Sequence, residues 1–160
     1  MSLKNRVAGV LTLVALVSGV GLDAQAIKEG ELANIKSLKC TFPTSTIVAW
    51  KDGVPEARIR TTGVLNIEIN EIDAADGSAI VGAVSTGNHD VNVQVYGWNM
   101  HFLEVSRGGR MGVTTVFAQT STGDKLKAVH SRTDYLPIDL PGLKSEPEVA
   151  MYYGDCVATR

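Results

Sequence analysis

Asp90-Val91-Asn92-Val93-Gln94-Val95-Tyr96 is the stretch that decides the fold class. Its valines occupy alternate positions, with Asn92 and Gln94 between them. In an extended chain successive side chains point to opposite faces, so the valines share one face and the polar residues the other. β-Branched residues at period two mark a half-buried antiparallel strand. Leu65, Ile67 and Ile69 alternate with Asn66, Glu68 and Asn70 in the same way.

Outward from these two stretches, similar short runs predict strands at residues 37–42, 45–50, 57–61, 79–85, 100–105, 112–119, 125–131 and 151–158. Between them, Lys51-Asp52-Gly53, Ala75-Asp76-Gly77, Arg107-Gly108-Gly109 and Thr122-Gly123-Asp124 supply Gly and Asp where a turn needs positive φ. No run of a dozen helix-periodic residues separates consecutive strands, which excludes parallel βαβ units. Residues 27–38 alone have loose helical spacing, through Leu32, Ile35 and Leu38, and Gly30 argues against a long helix there. Residues 134–148 hold three of the five prolines and are expected to form an extended loop before the last strand. The chain is therefore expected to be all-β: an antiparallel up-and-down sheet, closed or partly closed into a barrel, with a sandwich as the alternative.

Composition fits one such domain. The 160 residues are 44% hydrophobic and 20% charged, which excludes collagen-like and disordered chains. A net charge of −2 provides no basic excess for nucleic acid, and 6% aromatic residues provide no stacking platform.

The first residues read as an address. Lys4 and Arg6 precede an uncharged run from Val7 to Leu22, and Ala24-Gln25-Ala26 places small residues at −3 and −1 of a cleavage site. That is the pattern of a secretory signal peptide over residues 1–26, cleaved after Ala26 and leaving one exported domain, residues 27–160. As a helix the uncharged run would span roughly 24 Å, short of the ~30 Å hydrocarbon core. No later run is long enough to span a bilayer, so a periplasmic or secreted location is expected. The two cysteines, Cys40 and Cys156, are expected to pair in that oxidising setting. The acidic neighbour Asp155 disfavours a reactive thiolate. Such a bridge would bring the first and last strands together, which suits a closed sheet.

Lys39-Cys40-Thr41-Phe42, Thr114-Thr115-Val116-Phe117-Ala118, Ala128-Val129-His130-Ser131-Arg132 and Tyr152-Tyr153-Gly154-Asp155-Cys156 together resemble a group of uncharacterised small exported bacterial proteins. Its members carry a similar Cys–Phe start, a TTVFA strand, an AVHSR strand and a YYG-x-C ending. The resemblance covers most of residues 27–160 and implies an exported β-rich domain with no assigned activity. A lipocalin's Gly-x-Trp is absent, since Val48 precedes Ala49-Trp50.

Residues that could carry chemistry are few. There is no G-x-S-x-G, HExxH, P-loop, GxGxxG or CxxC. Asp73 and Asp76-Gly77-Ser78 lack calcium-loop spacing and read as a hairpin turn. His89-Asp90 reads as turn polarity, and His101, in step with Leu103 and Val105, as a partly buried, hydrogen-bonded histidine. His130 is expected to point with Leu126 and Ala128, away from Ser131, so those neighbours cannot be a nucleophile–base pair. A partner hydroxyl would have to come from Thr114 or Thr115 on a facing strand, and Arg132 is expected to pair with a carboxylate such as Asp134 or Glu104. Trp50 and Trp98, at strand ends, join His130 and Arg132 as candidate ligand-binding residues, because strand ends line barrel mouths. No cofactor or metal is expected. The function expected is non-enzymatic: binding of a small molecule or of an envelope protein. A small envelope hydrolase using His130 with a facing Ser or Thr hydroxyl is the alternative. An underfilled apolar interior would favour a small molecule, and an exposed apolar patch a protein.

Overall fold

A computed structural model describes residues 30–83, 87–106, 108–135 and 145–159. The expected signal peptide, with Ala24 and Ala26, lies outside the described residues, as does most of the proline-rich stretch before the last strand. The described residues form strands β1 (Ser37–Lys51), β2 (Val54–Arg60), β3 (Leu65–Asp73), β4 (Ser78–Ala83), β5 (Gly87–Tyr96), β6 (Asn99–Val105), β7 (Met111–Thr120), β8 (Leu126–Asp134) and β9 (Glu148–Thr159). All pairings are antiparallel. Neighbours run β1-β3-β4-β5-β6-β7-β8-β9, and β9 pairs back onto β1, so eight strands close into a barrel. The sandwich alternative is thereby set aside.

Residues 37–42 and 45–50, expected as two strands, are one long strand. Thr41 faces Asp155 and Thr44 faces Tyr153, so Phe42 and Pro43 together oppose Gly154 alone. That is a β-bulge, and Pro43 is tolerated there because a bulged residue has no ladder bond to lose. Gly154 is what admits the bulge: a Cβ on it would stand 2.7 Å from the Cα of Phe42. Phe42, in step with Leu38 and Cys40, is fully buried in the interior, and past the bulge the inward positions shift to Ser45 and Ile47.

The lower half of β1 pairs with β3, from Leu38 to Phe42, and the upper half pairs with β2, from Ser45 to Lys51. Strand β2 is therefore outside the barrel, folded back by a two-residue turn in which Asp52 and Gly53 have φ of 51° and 79°. Positive φ at both central positions is the type I′ turn that suits the right-handed strand twist.

The interior is filled by alternate residues of every barrel strand. Leu38, Phe42, Ile69, Met100, Val116 and Cys156 are sealed from solvent. Within residues 27–38, those described form a single 3-10 turn, Glu31–Asn34, after Gly30 at φ 87°, and then enter β1. It puts buried Leu32 and Ile35 against the core, so this end is the base and the end where β1 and β8 finish is the mouth. Cys40 and Cys156 are directly opposite on β1 and β9 and form a disulfide, as expected, with Cα atoms 4.0 Å apart.

Candidate functional site at the mouth and the outer face

Above the apolar core, the inward positions turn polar. His89 on β5, Glu104 on β6, Thr114 on β7, His130 and Arg132 on β8 and Tyr152 on β9 stand at this level. The alternation expected on β8 holds, with Leu126, Ala128 and His130 buried. Thr114 and His130 are register partners and share a hydrogen bond of 2.9 Å between Oγ1 and Nδ1. Phe42 and Tyr152 flank the imidazole, with ring centroids 6.1 and 5.7 Å away. Burial, and secondarily the charge of Arg132, lowers the His130 pKa to about 4, so the ring is neutral near pH 7. Gly112 makes room beside it: a Cβ there would meet His130 Cε1 at 3.2 Å and Glu104 Oε2 at 3.5 Å.

The hydroxyl sought for His130 is thus present at hydrogen-bond distance, but Thr114 is 4% exposed and His130 6%. A nucleophile must reach its substrate, so this pair gives the hydrolase alternative no usable geometry. Among the described residues, no three His, Cys, Asp or Glu side chains converge as metal ligands.

One sequence-based expectation, that for His89, is corrected by the structure. His89 is not turn polarity: it lies within β5, and its Nε2 is 3.0 Å from Glu104 Oε1, an ion-pair distance without hydrogen-bond alignment. Arg132 does meet a carboxylate, that of Glu148 rather than Asp134 or Glu104. Its Nη2 is 3.7 Å from Glu148 Oε1, its guanidinium carbon is 5.8 Å from the Tyr152 ring centroid, and its buried Nε has no hydrogen-bond partner among the described residues. Asp134 is engaged instead by Arg110 Nε at 2.9 Å. His101 is partly buried on the outer face and hydrogen-bonded to Thr115 Oγ1 at 3.0 Å, as expected.

The four candidate ligand-binding residues do not meet. His130 and Arg132 are neighbours at the mouth. Trp50 is one residue from the end of the long strand β1 beyond them, 45% exposed, and Trp98 is at the base, 51% exposed. Trp98 lines an open hollow of about 310 Å³ with Asn99, Phe117, Ala118 and Gln119.

The outer face of the barrel carries a feature that the sequence reading missed. One register row runs Ala57–Val48–Val149–Thr133–Met111–Val105 across β2, β1, β9, β8, β7 and β6. The next runs Ile59–Thr46–Met151–Ser131–Val113–Leu103. Val105 is 68% exposed and Val149 44%, and Leu103, Met111, Met151 and Tyr153 are exposed as well. Trp50 alternates onto the same face above Val48. On β3 and β5 the outward residues are instead Asn66, Glu68, Asn70, Asp90, Asn92 and Gln94, all exposed. The barrel is thus apolar outside on one side and polar on the other. The available signal was β9, where Val149, Ala150, Met151, Tyr152 and Tyr153 break the alternation and are apolar on both faces.

No protein-family model matches this chain, and no curated protein matches it.

Proposed function

We propose that this is an exported, non-catalytic β-barrel that docks on another protein of the cell envelope through the outer face of β1, β9, β8, β7 and β6. One observation carries the reading: a band of exposed Val, Leu and Met side chains, with Thr46, Ser131 and Thr133 among them, over a closed barrel lined inside by buried apolar side chains. Soluble domains seldom leave such a band uncovered, and bands of this kind commonly mark protein contacts. The signal-peptide pattern supports a periplasmic or secreted location, with which the disulfide is compatible. The four stretches shared with small exported bacterial proteins support placing this chain among them.

Photo-crosslinking in the native host tests the docking face. A photoreactive residue at Met151 or Leu103 is expected to yield a discrete adduct with an envelope protein, and one at Asn70 or Gln94 none. Equal adducts on both sides, or none at Met151 and Leu103, would sink the proposal. A second reading, a small molecule held at the mouth by Arg132 above the sealed His130, is favoured by the buried Arg132 Nε, which has no hydrogen-bond partner among the described residues. Native mass spectrometry of protein from its own envelope separates the two: a small non-covalent mass addition, lost in Arg132→Ala, belongs to that reading alone.

A further inference from the structure

Strand β2 is bonded on one side only. It pairs with β1 through all seven of its residues, every one of them exposed, and among the described residues no strand lies along its other edge. The two-residue turn fixes which backbone groups are free. Lys51 and Val54 close the turn as a hydrogen-bonded pair, so Val54, Glu56, Arg58 and Arg60 direct their N–H and C=O groups to β1. Pro55, Ala57 and Ile59 direct theirs outward. The single proline of the strand falls on the free edge, where its missing N–H removes no bond of the hairpin.

The side chains of this edge are complementary to themselves. Glu56 and Arg58 are on one face of β2, on either side of Ala57 in sequence, and Ile59 and Pro55 are on the other. If two β2 strands pair antiparallel with Ala57 opposite Ala57, each Glu56 faces an Arg58 and each Pro55 faces an Ile59. Sliding one strand by two residues either way, the smallest shift that keeps the faces matched, sets Glu56 against Glu56 or Arg58 against Arg58, and like charges directly opposite are unfavourable. The existing contact of Glu56, 3.7 Å from Lys51 Nζ between exposed side chains, is too weak to hold it back.

We propose that β2 is a self-association edge, through which two copies of this chain pair antiparallel about Ala57. The Ala57 N–H and C=O groups bond each other across the two-fold axis, and each Ile59 N–H bonds the Pro55 carbonyl of the second copy. The Glu56–Arg58 pairs select this register. Because the axis stands normal to the sheet, the apolar outer faces of the two copies lie side by side, so the dimer presents a doubled docking face.

Sedimentation velocity on the exported domain, with its disulfide intact, tests this across a concentration series. The wild type is expected to show a reversible monomer–dimer equilibrium. Glu56→Arg is expected to weaken it about tenfold or more, since both charge pairs become repulsive, and Glu56→Arg with Arg58→Glu in one chain to restore it. Ala57→Pro, which deletes a donor on the free edge without touching a bond to β1, is expected to leave monomer only. A wild type that stays monomeric throughout, a dimer indifferent to Ala57→Pro, or a charge swap that fails to restore dimerisation would each overturn the proposal. Thermal unfolding of each variant controls for folding, and the charge-swap set decides the matter alone if Ala57→Pro does not fold.

Discussion

His130 shows how one buried side chain couples stability to pH. Its pKa falls from 6.5 to about 4 on folding, first through burial and then through the nearby positive charge of Arg132. The unfolded chain therefore binds a proton below pH 6.5 that the folded protein refuses until about pH 4. The resulting stability is complete above pH 6.5 and is lost as pH falls towards 4. Its full size is about 3 kcal/mol. Urea unfolding at pH 7 and pH 4.5 checks it: wild type should lose about 2–3 kcal/mol more over that interval than His130→Gln. An equal loss in both proteins would remove His130 as the cause. Gly154 is the second residue on which much depends, because backbone occupies the place where its Cβ would be. Gly154→Ala is expected to cost about 3 kcal/mol or more in a thermal melt, since backbone cannot step aside as a flexible side chain can. Gly108→Ala is the control: its Cβ would meet nothing nearer than Ser106 Oγ at 4.0 Å, and it should melt almost as wild type does.

At the scale of elements, the sequence made faces legible and left partners obscure. Alternation in Leu65–Asn70 and Asp90–Tyr96 identified β3 and β5, and turn residues such as Asp52-Gly53 identified where strands end. Period two reports which side of a strand is apolar, and nothing in it reports which strand lies alongside. Residues 57–61 therefore read as one more barrel strand, although β2 pairs with only the upper half of β1 and leaves the barrel. The bulge at Phe42 and Pro43 was hidden for a related reason. A proline next to a strand-like run reads as a break, and only the small size of Gly154, more than a hundred residues away, lets the strand continue. His89 was misread because Thr86-Gly87-Asn88 has turn composition, whereas ladder bonds to β4 extend β5 up to Gly87. The mouth pairs Thr114–His130 and His89–Glu104 depend on register between strands, so sequence could nominate Thr114 for His130 and could not see that both would be sealed.

At the scale of the whole molecule, the Cys40–Cys156 bridge spans 116 residues of sequence and ties together the two strands that complete the barrel. Replacing both cysteines with alanine is expected to lower unfolding stability by about 2–5 kcal/mol. Chemical denaturation of the oxidised wild type beside Cys40→Ala/Cys156→Ala measures it, and coincident curves would show that the closed sheet alone supplies the constraint. The β1–β9 pairing also sets an order of events. Because β1 comes early in the chain and β9 late, any folding intermediate that lacks the β1–β9 pairing is an open sheet with its future interior facing water. Pairing between the two ends of a chain closes the longest loop available and is slow for that reason. Over that interval both the unfilled interior and the apolar outer face are uncovered, so this barrel is most in need of a chaperone just before it becomes complete.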